Sequence, residues 1–167
     1  MKHAFIFLMS FMVMSSLFSQ KCEEKKDPFS GDRVVTYDYG TRTIYYELKQ
    51  STIFFEIKFA YSGDYKVSVP KGSEVSFKFE NGEVIKLSTV AETYPKSNVT
   101  GSTIYTNYVY RMELTKSEML KLAESKVSVI RYPDANGGMM DWELKGLNKL
   151  YAKYIMAGAN CMKEHLQ

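Results

Sequence analysis

Apolar and polar residues alternate along much of the chain between residues 33 and 90, which is the period of a half-buried strand. The strongest run covers residues 53–61, where one face carries Ile53, Phe55, Ile57, Phe59 and Tyr61. The same pattern predicts further strands over residues 33–38, 42–49, 65–69, 75–79 and 83–87. The pair Asn81-Gly82 predicts a type I′ hairpin, because both central residues of that turn need a positive φ. We therefore predict an antiparallel meander over residues 33–90.

The second half of the chain mixes strands with helices. A polar loop over residues 91–102 precedes a long alternating strand over residues 104–114. Thr115 and Glu118 form a capping box, which predicts a short helix over residues 116–124. A strand hairpin follows over residues 126–132 and 139–144. Because the short helix joins two strands, we interpret it as a crossover between parallel neighbours.

The end of the chain has the period of an amphipathic helix. Its apolar residues recur at spacings of three and four: Leu147, Leu150, Tyr151, Tyr154, Ile155, Gly158, Cys161 and Met162. Gly158 weakens a helix by about 1 kcal/mol, but its missing side chain could let the helix lie close to the sheet. The predicted class is α+β, with a mainly antiparallel sheet in an open-barrel or sandwich-like meander, one short crossover helix and a C-terminal helix packed on the sheet.

Residues 1–19 have the composition of a secretory signal peptide, with a basic start and a short apolar run that ends near Ser19. Residues 20–32 form a polar lead-in segment, and residues 33–167 form a single strand-rich domain. This organisation predicts a secreted or periplasmic protein without a transmembrane segment in the mature chain.

Cys22 follows the signal closely and could carry a lipid or form a disulfide. The lipoprotein peptidase requires a small residue before the modified cysteine, and Lys21 does not meet that requirement. Only two cysteines are present, and Cys161 lies on the apolar stripe of the terminal helix. We therefore expect a Cys22–Cys161 disulfide, as is common in an oxidising compartment.

The charge distribution argues against nucleic acid as a partner. The whole chain carries 22 Lys and Arg against 19 Asp and Glu, and loss of Lys2 with the signal lowers the net charge from +3 to +2. Acidic and basic residues alternate along the chain, and no basic block could follow a phosphate backbone.

Several forms of catalysis have little support in the sequence. His3 leaves with the signal, so the mature chain has one histidine, His165, two residues from the end of the chain. That supply does not suit a histidine-dependent triad or a zinc site, and we expect no metal and no cofactor. A carboxylate pair is a second possibility, drawn from strand residues Asp38, Glu47, Glu56, Glu113, Asp141 and Glu143.

Short motifs add little. Asp134 and Asn136 lie in a turn sequence without the spacing of a calcium loop. Asn98 begins a glycosylation sequon in a predicted loop, which has meaning only in a host that glycosylates.

Tyrosine gives the one indication of a binding surface. All 13 tyrosines lie after residue 19, and alternation places Tyr45 and Tyr105 on faces opposite to Tyr46, Tyr108 and Tyr110. We expect a non-catalytic binding or interaction domain whose partner is an unknown protein or carbohydrate. The alternatives are a small carboxylate-dependent hydrolase of the glycoside type and a structural envelope component.

Overall fold

The computed structural model describes residues 22–166, so the predicted signal peptide over residues 1–19 lies outside the described residues. This range contains ten strands: β1 (Cys22–Lys26), β2 (Arg33–Tyr39), β3 (Ile44–Lys49), β4 (Thr52–Ser62), β5 (Glu74–Phe79), β6 (Val84–Ser88), β7 (Lys96–Thr100), β8 (Thr103–Leu114), β9 (Val127–Pro133) and β10 (Met139–Glu143). The helices are α1 (Lys116–Glu124), a 3₁₀ turn (Gly146–Asn148) and α2 (Lys149–His165).

The strands form two antiparallel sheets. One has six strands in the order β1-β2-β3-β4-β8-β7, and the other has four in the order β10-β9-β5-β6. The predicted α+β class is confirmed, with its antiparallel sheets, short helix and C-terminal helix. The predicted continuous meander is wrong in one respect: residues 63–73 carry the chain from β4 in the first sheet to β5 in the second.

The strand predicted over residues 65–69 is absent, although its residues alternate. Side chains of β8, rather than a neighbouring strand, form hydrogen bonds with the backbone of this segment. Tyr65 N–H donates to Thr106 Oγ1 (3.1 Å), and Tyr108 Oη donates to the carbonyl of Val67 (2.8 Å). Within this segment only Val69 makes a strand-like bridge, to Thr93. The segment is therefore extended but does not join a ladder.

The alternation of apolar and polar residues does not predict two of the edge strands, β1 and β7. Every residue of β7 is exposed, and this strand occupies part of the region predicted as a polar loop. β1 lies within the predicted lead-in segment and pairs along its whole length with β2. Because neither strand has a fully buried face, their sequences show no period of two.

The hairpin at Asn81-Gly82 is present between β5 and β6, but its turn is not type I′. Only Gly82 has a positive φ (87°), and its N–H donates to the carbonyl of Phe79 (3.0 Å). A three-residue loop with glycine in the left-handed position explains this geometry.

The capping box of α1 is present as predicted, with Thr115 Oγ1 accepting the Glu118 N–H at 3.2 Å. The predicted parallel pairing across this helix is wrong, because β8 and β9 belong to different sheets.

The inner face of the six-stranded sheet forms the core together with two other elements. The four-stranded sheet packs at one end, where the rings of Phe59 and Tyr132 stack with centroids 3.6 Å apart. α2 packs on β2 and β3 at the other end, where Tyr46 Oη donates to the carbonyl of Ile155 (3.1 Å). The C-terminal helix therefore covers part of the core face, as expected.

Candidate functional site

The disulfide between Cys22 and Cys161 is present, with their Cα atoms 5.6 Å apart. It joins the first strand of the described chain to the last helix, which are separated by 139 residues in sequence. Cys161 is buried on the inward face of α2.

The six strand carboxylates considered as catalytic candidates do not converge as a group. Four of them are exposed: Asp38, Glu113, Asp141 and Glu143. Asp141 forms a bidentate ion pair with Arg131 (2.6 and 2.7 Å), and Glu143 forms an ion pair with Lys145. The remaining two, Glu47 and Glu56, lie together.

Glu47 and Glu56 share one arginine on the outer face of the six-stranded sheet. Arg111 Nη2 donates to Glu47 Oε1 (2.7 Å), while its Nη1 donates to Glu56 Oε1. Arg42 Nη2 also lies 3.1 Å from Glu56 Oε2. Although Glu56 is on the outer face, the residue is only 5% exposed, because these side chains cover it.

Aromatic rings support the two arginines. Arg111 Cζ lies 4.0 Å from the centroid of Phe54, and Arg42 Cζ lies 4.1 Å from that of Tyr45. Burial opposes the charge on Arg111, but hydrogen bonds to Glu47 and Glu56 raise the pKa of its guanidinium. The two arginines balance the charges of the two glutamates within the cluster.

A second feature is a cavity of about 430 Å³ between the two sheets and α2, which we call the aromatic groove. Its lining consists of Thr43, residues 58–61, Tyr132, Met140, Trp142 and Tyr151.

The groove exists because neighbouring strands differ in length. β3 pairs with β4 as far as Ile44 and Ile57, whereas β4 continues to Ser62 with β8 alone on its other side. The edge of β4 freed in this way faces the edge strand β10 of the other sheet. The cleft thus lies between two strand edges.

Rings form a continuous wall along the groove. Trp142 lies edge-on to Phe59 (centroids 5.4 Å apart) and contacts Tyr151 (4.7 Å). Tyr151 in turn lies edge-on to Tyr39 at 6.3 Å. Trp142 and Tyr151 are only half-buried, and Met140 is 42% exposed, so these side chains are open to a ligand.

Polar groups line the groove alongside the rings. Lys58 Nζ donates to the carbonyl of Thr41 (2.8 Å), and Tyr132 Oη donates to Met140 Sδ (3.4 Å). Tyr61 Oη is buried and makes no hydrogen bond of good geometry. Burial and the neighbouring Tyr132 hydroxyl raise the pKa of Tyr61, so its hydroxyl stays protonated. Rings beside hydrogen-bonding groups in a concave site are found in small-molecule sites.

The other candidates from the sequence lie elsewhere. Asp134 Oδ1 accepts the N–H groups of Asn136 (2.9 Å) and Gly138 (2.7 Å), so its carboxylate stabilises the turn. Asn98 lies on exposed β7, where its Oδ1 accepts from Asn107 Nδ2 (2.6 Å).

His165 is the last residue of α2 and lies against the first two strands. Its Nδ1 is 2.7 Å from Arg33 Nη2 and 3.2 Å from Glu24 Oε2.

The predicted opposition of the tyrosines is confirmed. Tyr46, Tyr108 and Tyr110 are fully buried in the core, whereas Tyr45 is half-buried on the outer face and Tyr105 is 38% exposed. Sequence reasoning missed the groove, which depends on Tyr61, Trp142 and Tyr151. The single tryptophan, within a hairpin strand of exposed residues, was the available signal.

Within residues 22–166, no three His, Cys, Asp or Glu side chains lie together in a way that could hold a metal ion. None of the helices in this range is long and apolar enough to cross a membrane. The chain matches no protein-family model, no curated protein and no solved structure. The case for a function therefore rests on the geometry of the groove and the surface.

Proposed function

We propose that the protein is an extracytoplasmic, non-catalytic binding domain that holds a small ligand in the aromatic groove. The observation that carries this proposal is the half-buried wall formed by Trp142 and Tyr151. A soluble domain gains stability by burying such rings fully, so their partial exposure beside a cavity favours a role in binding.

The chemistry of the groove suits a ligand with a flat apolar face and polar groups at its edge, such as a sugar ring. Trp142 and Tyr151 offer faces and edges for stacking, while the Lys58 ammonium offers a donor near the rim. A volume of about 430 Å³ accommodates one or two such rings.

The carboxylate-dependent hydrolase is less well supported. Its best pair, Glu47 and Glu56, is bridged by Arg111 on the outer sheet face, and neither glutamate lines the groove. A glycoside hydrolase holds a water molecule or the glycosidic bond between its two carboxylates. Here the Arg111 guanidinium lies between them.

Localisation outside the cytoplasm is supported by the disulfide, which is common in oxidising compartments. It also occupies the Cys22 sulfur, which a lipid anchor would need. Intact-mass measurement of the exported protein should give a chain that starts near Gln20 and carries no lipid. A mass increment of diacylglycerol size on Cys22 would contradict this proposal.

Trp142 provides the direct test of ligand binding, because it is the only tryptophan in the chain. Its emission is measured during titration with a panel of oligosaccharides, and binding in the groove should shift or quench it. Tyr151→Ala and Met140→Ala should weaken binding at least tenfold. Tyr94→Ala, which removes a 63% exposed ring outside the groove, is the matched control.

The melting temperature of each variant shows whether it folds. Met140 is exposed at an edge strand, so Met140→Ala should fold normally even if the loss of Tyr151 destabilises α2. A panel without any effect on Trp142 emission, or equal affinity in the groove and control variants, would refute sugar binding at this site.

A further inference from the structure

A second cavity lies on another side of α2, and we call it the lysine pocket. Its volume is about 510 Å³, and its apolar lining includes buried Leu144 and Ala152 and half-exposed Leu150. Lys126, Lys149 and Lys153 also line it. The groove uses Tyr151 from the same helix, but the two cavities share no lining residue.

The three lysines of the pocket are not neutralised. In the part of the chain that the structure describes, Lys126, Lys149 and Lys153 form no ion pair within 4.0 Å, whereas nearby Lys121, Lys145 and Lys163 each have an acidic partner. The single carboxylate in the lining is Glu80. The pocket therefore has excess positive charge around an apolar floor, which is complementary to an anion with an apolar part.

Two leucines project beside these lysines. Leu147 is 96% exposed and Leu150 is 53% exposed, and both lie where the 3₁₀ turn leads into α2. Leu147 makes almost no contact with the protein and therefore does not stabilise its core. Leucines beside lysines are found in segments that enter a bilayer interface.

We propose that this surface docks on a bilayer that carries anionic lipid headgroups. The leucines enter the acyl region, the lysines contact headgroup phosphates, and the pocket accepts part of one lipid. Leu147 favours a bilayer over a single amphiphile, because it is outside the pocket lining and a ligand confined to the pocket would leave it exposed. This site is independent of the proposed groove ligand.

The test is co-sedimentation of the full mature, disulfide-bonded chain with vesicles. Vesicles of phosphatidylcholine mixed with phosphatidylglycerol are compared with vesicles of phosphatidylcholine alone, at low and high salt. We expect binding to the anionic vesicles that weakens at high salt, since surface charges are screened. Leu147→Ser should weaken binding about tenfold, because it removes one buried leucine from the interface.

Charge reversal at Lys149 and Lys153 should abolish binding, since each lysine near an anionic surface contributes about fivefold to the affinity. The matched controls are Lys71→Glu with Lys116→Glu, two exposed lysines outside the pocket, and Val99→Ser, a 70% exposed apolar residue on β7. These controls should bind like the unmodified protein.

Leu147 makes so few contacts that Leu147→Ser cannot fail by unfolding, and its melting temperature should equal that of the parent chain. Absence of binding to anionic vesicles would overturn the proposal. So would equal binding of the leucine, lysine and control variants, or binding of monomeric dodecyl phosphate in the pocket without any binding to vesicles.

Discussion

Gly158 lies directly against the ring of Tyr46: a Cβ atom at Gly158 would be 2.3 Å from Cδ2 and 2.5 Å from Cε2 of that ring. It would also approach Cδ1 of Tyr37 to 2.8 Å. The hydroxyl of Tyr46 donates a hydrogen bond to the carbonyl of Ile155, one turn earlier in α2. The absence of a side chain therefore sets how closely the C-terminal helix approaches β2 and β3.

Gly158→Ala should destabilise the fold, although alanine is the better helix former. The gain in helix propensity is about 1 kcal/mol, whereas overpacking costs about 1–3 kcal/mol and occasionally more. Because the clash involves ring atoms of a fully buried side chain, we expect a net loss of about 2 kcal/mol in the free energy of unfolding. Urea denaturation measures it.

Gly138→Ala is a suitable control for this substitution. Gly138 has no positive φ, and its nearest neighbour to a new Cβ is Asp134 Oδ1 at an ordinary 3.5 Å. Its unfolding midpoint should stay close to that of the parent. A higher midpoint for Gly158→Ala would mean that the helix moves away from the sheet at little cost.

Arg111→Ala should be among the more damaging substitutions on the outer sheet face. It leaves Glu47 and Glu56 close together without their shared counter-charge. Breaking a buried ion pair costs about 3–5 kcal/mol, and partial exposure of Arg111 lowers our expectation to about 2–3 kcal/mol. Arg131→Ala, which breaks an exposed pair with Asp141, should cost less than about 1 kcal/mol.

A second substitution separates electrostatics from packing in this cluster. Arg111 also covers the ring of Phe54, so part of the loss comes from that contact. Adding Glu56→Gln to Arg111→Ala should recover some stability, because it removes one of the two negative charges that then lie close together. Purely additive losses in this double-mutant cycle would show that Arg111 and Glu56 contribute no interaction energy to stability.

The lowered pKa of Asp27 leads us to expect that the free energy of unfolding falls in acid. Its Oδ1 accepts the N–H groups of Ser30 (3.0 Å) and Phe29 (2.9 Å), its Oδ2 lies 3.3 Å from Lys49 Nζ, and these contacts lower its pKa from 3.8 to about 2. Because the pKa is lower in the folded state, the stabilisation is complete above pH 4 and disappears as the pH falls towards 2.

Urea midpoints measured across this pH range check the assignment. Asp27→Asn should flatten the dependence, since asparagine keeps an acceptor oxygen but does not titrate. Lys49→Met should have a smaller effect, because the backbone N–H groups are the larger cause of the pKa shift. An unchanged slope in Asp27→Asn would assign the acid sensitivity to other groups.

Strands with one buried face were the predictable part of this fold. β4 and β8 alternate strongly because one side of each faces the core. β7 could not be predicted in this way, since every residue on it is exposed. The alternation pattern also could not predict the division into two sheets. β4 and β5 have the same period of two and differ only in the strands with which they pair.

The candidate site was less predictable than the fold. Alternation places Glu56 on the outer face, but its burial depends on Arg42 and Arg111, whose positions come from other parts of the chain. The groove depends on β4 extending beyond β3 and on β10 facing that free edge. Such relations between distant segments leave no local signal in the sequence. The disulfide could be predicted because the chain has only two cysteines.

The Cys22–Cys161 disulfide gives the last prediction. It closes a loop of 139 residues, for which the chain-entropy model gives a stabilisation of about 5 kcal/mol. We expect a measured loss of about 2–4 kcal/mol when both cysteines are replaced by serine, because the denatured chain keeps some structure. β1 would still pair with β2 and α2 would still pack on β3, so the native state should survive at low temperature.

Without the bridge, α2 can separate from the sheet more easily and expose the apolar stripe that includes Ile155 and Met162. Reduction of the parent protein should therefore lower its melting temperature and increase association, which light scattering detects. The Cys22→Ser, Cys161→Ser variant should melt at the lower temperature with or without reductant. Peptide mapping of the exported protein without reductant should recover the two cysteines in one linked peptide, and separate free thiols would reject the bridge and this account of its stability.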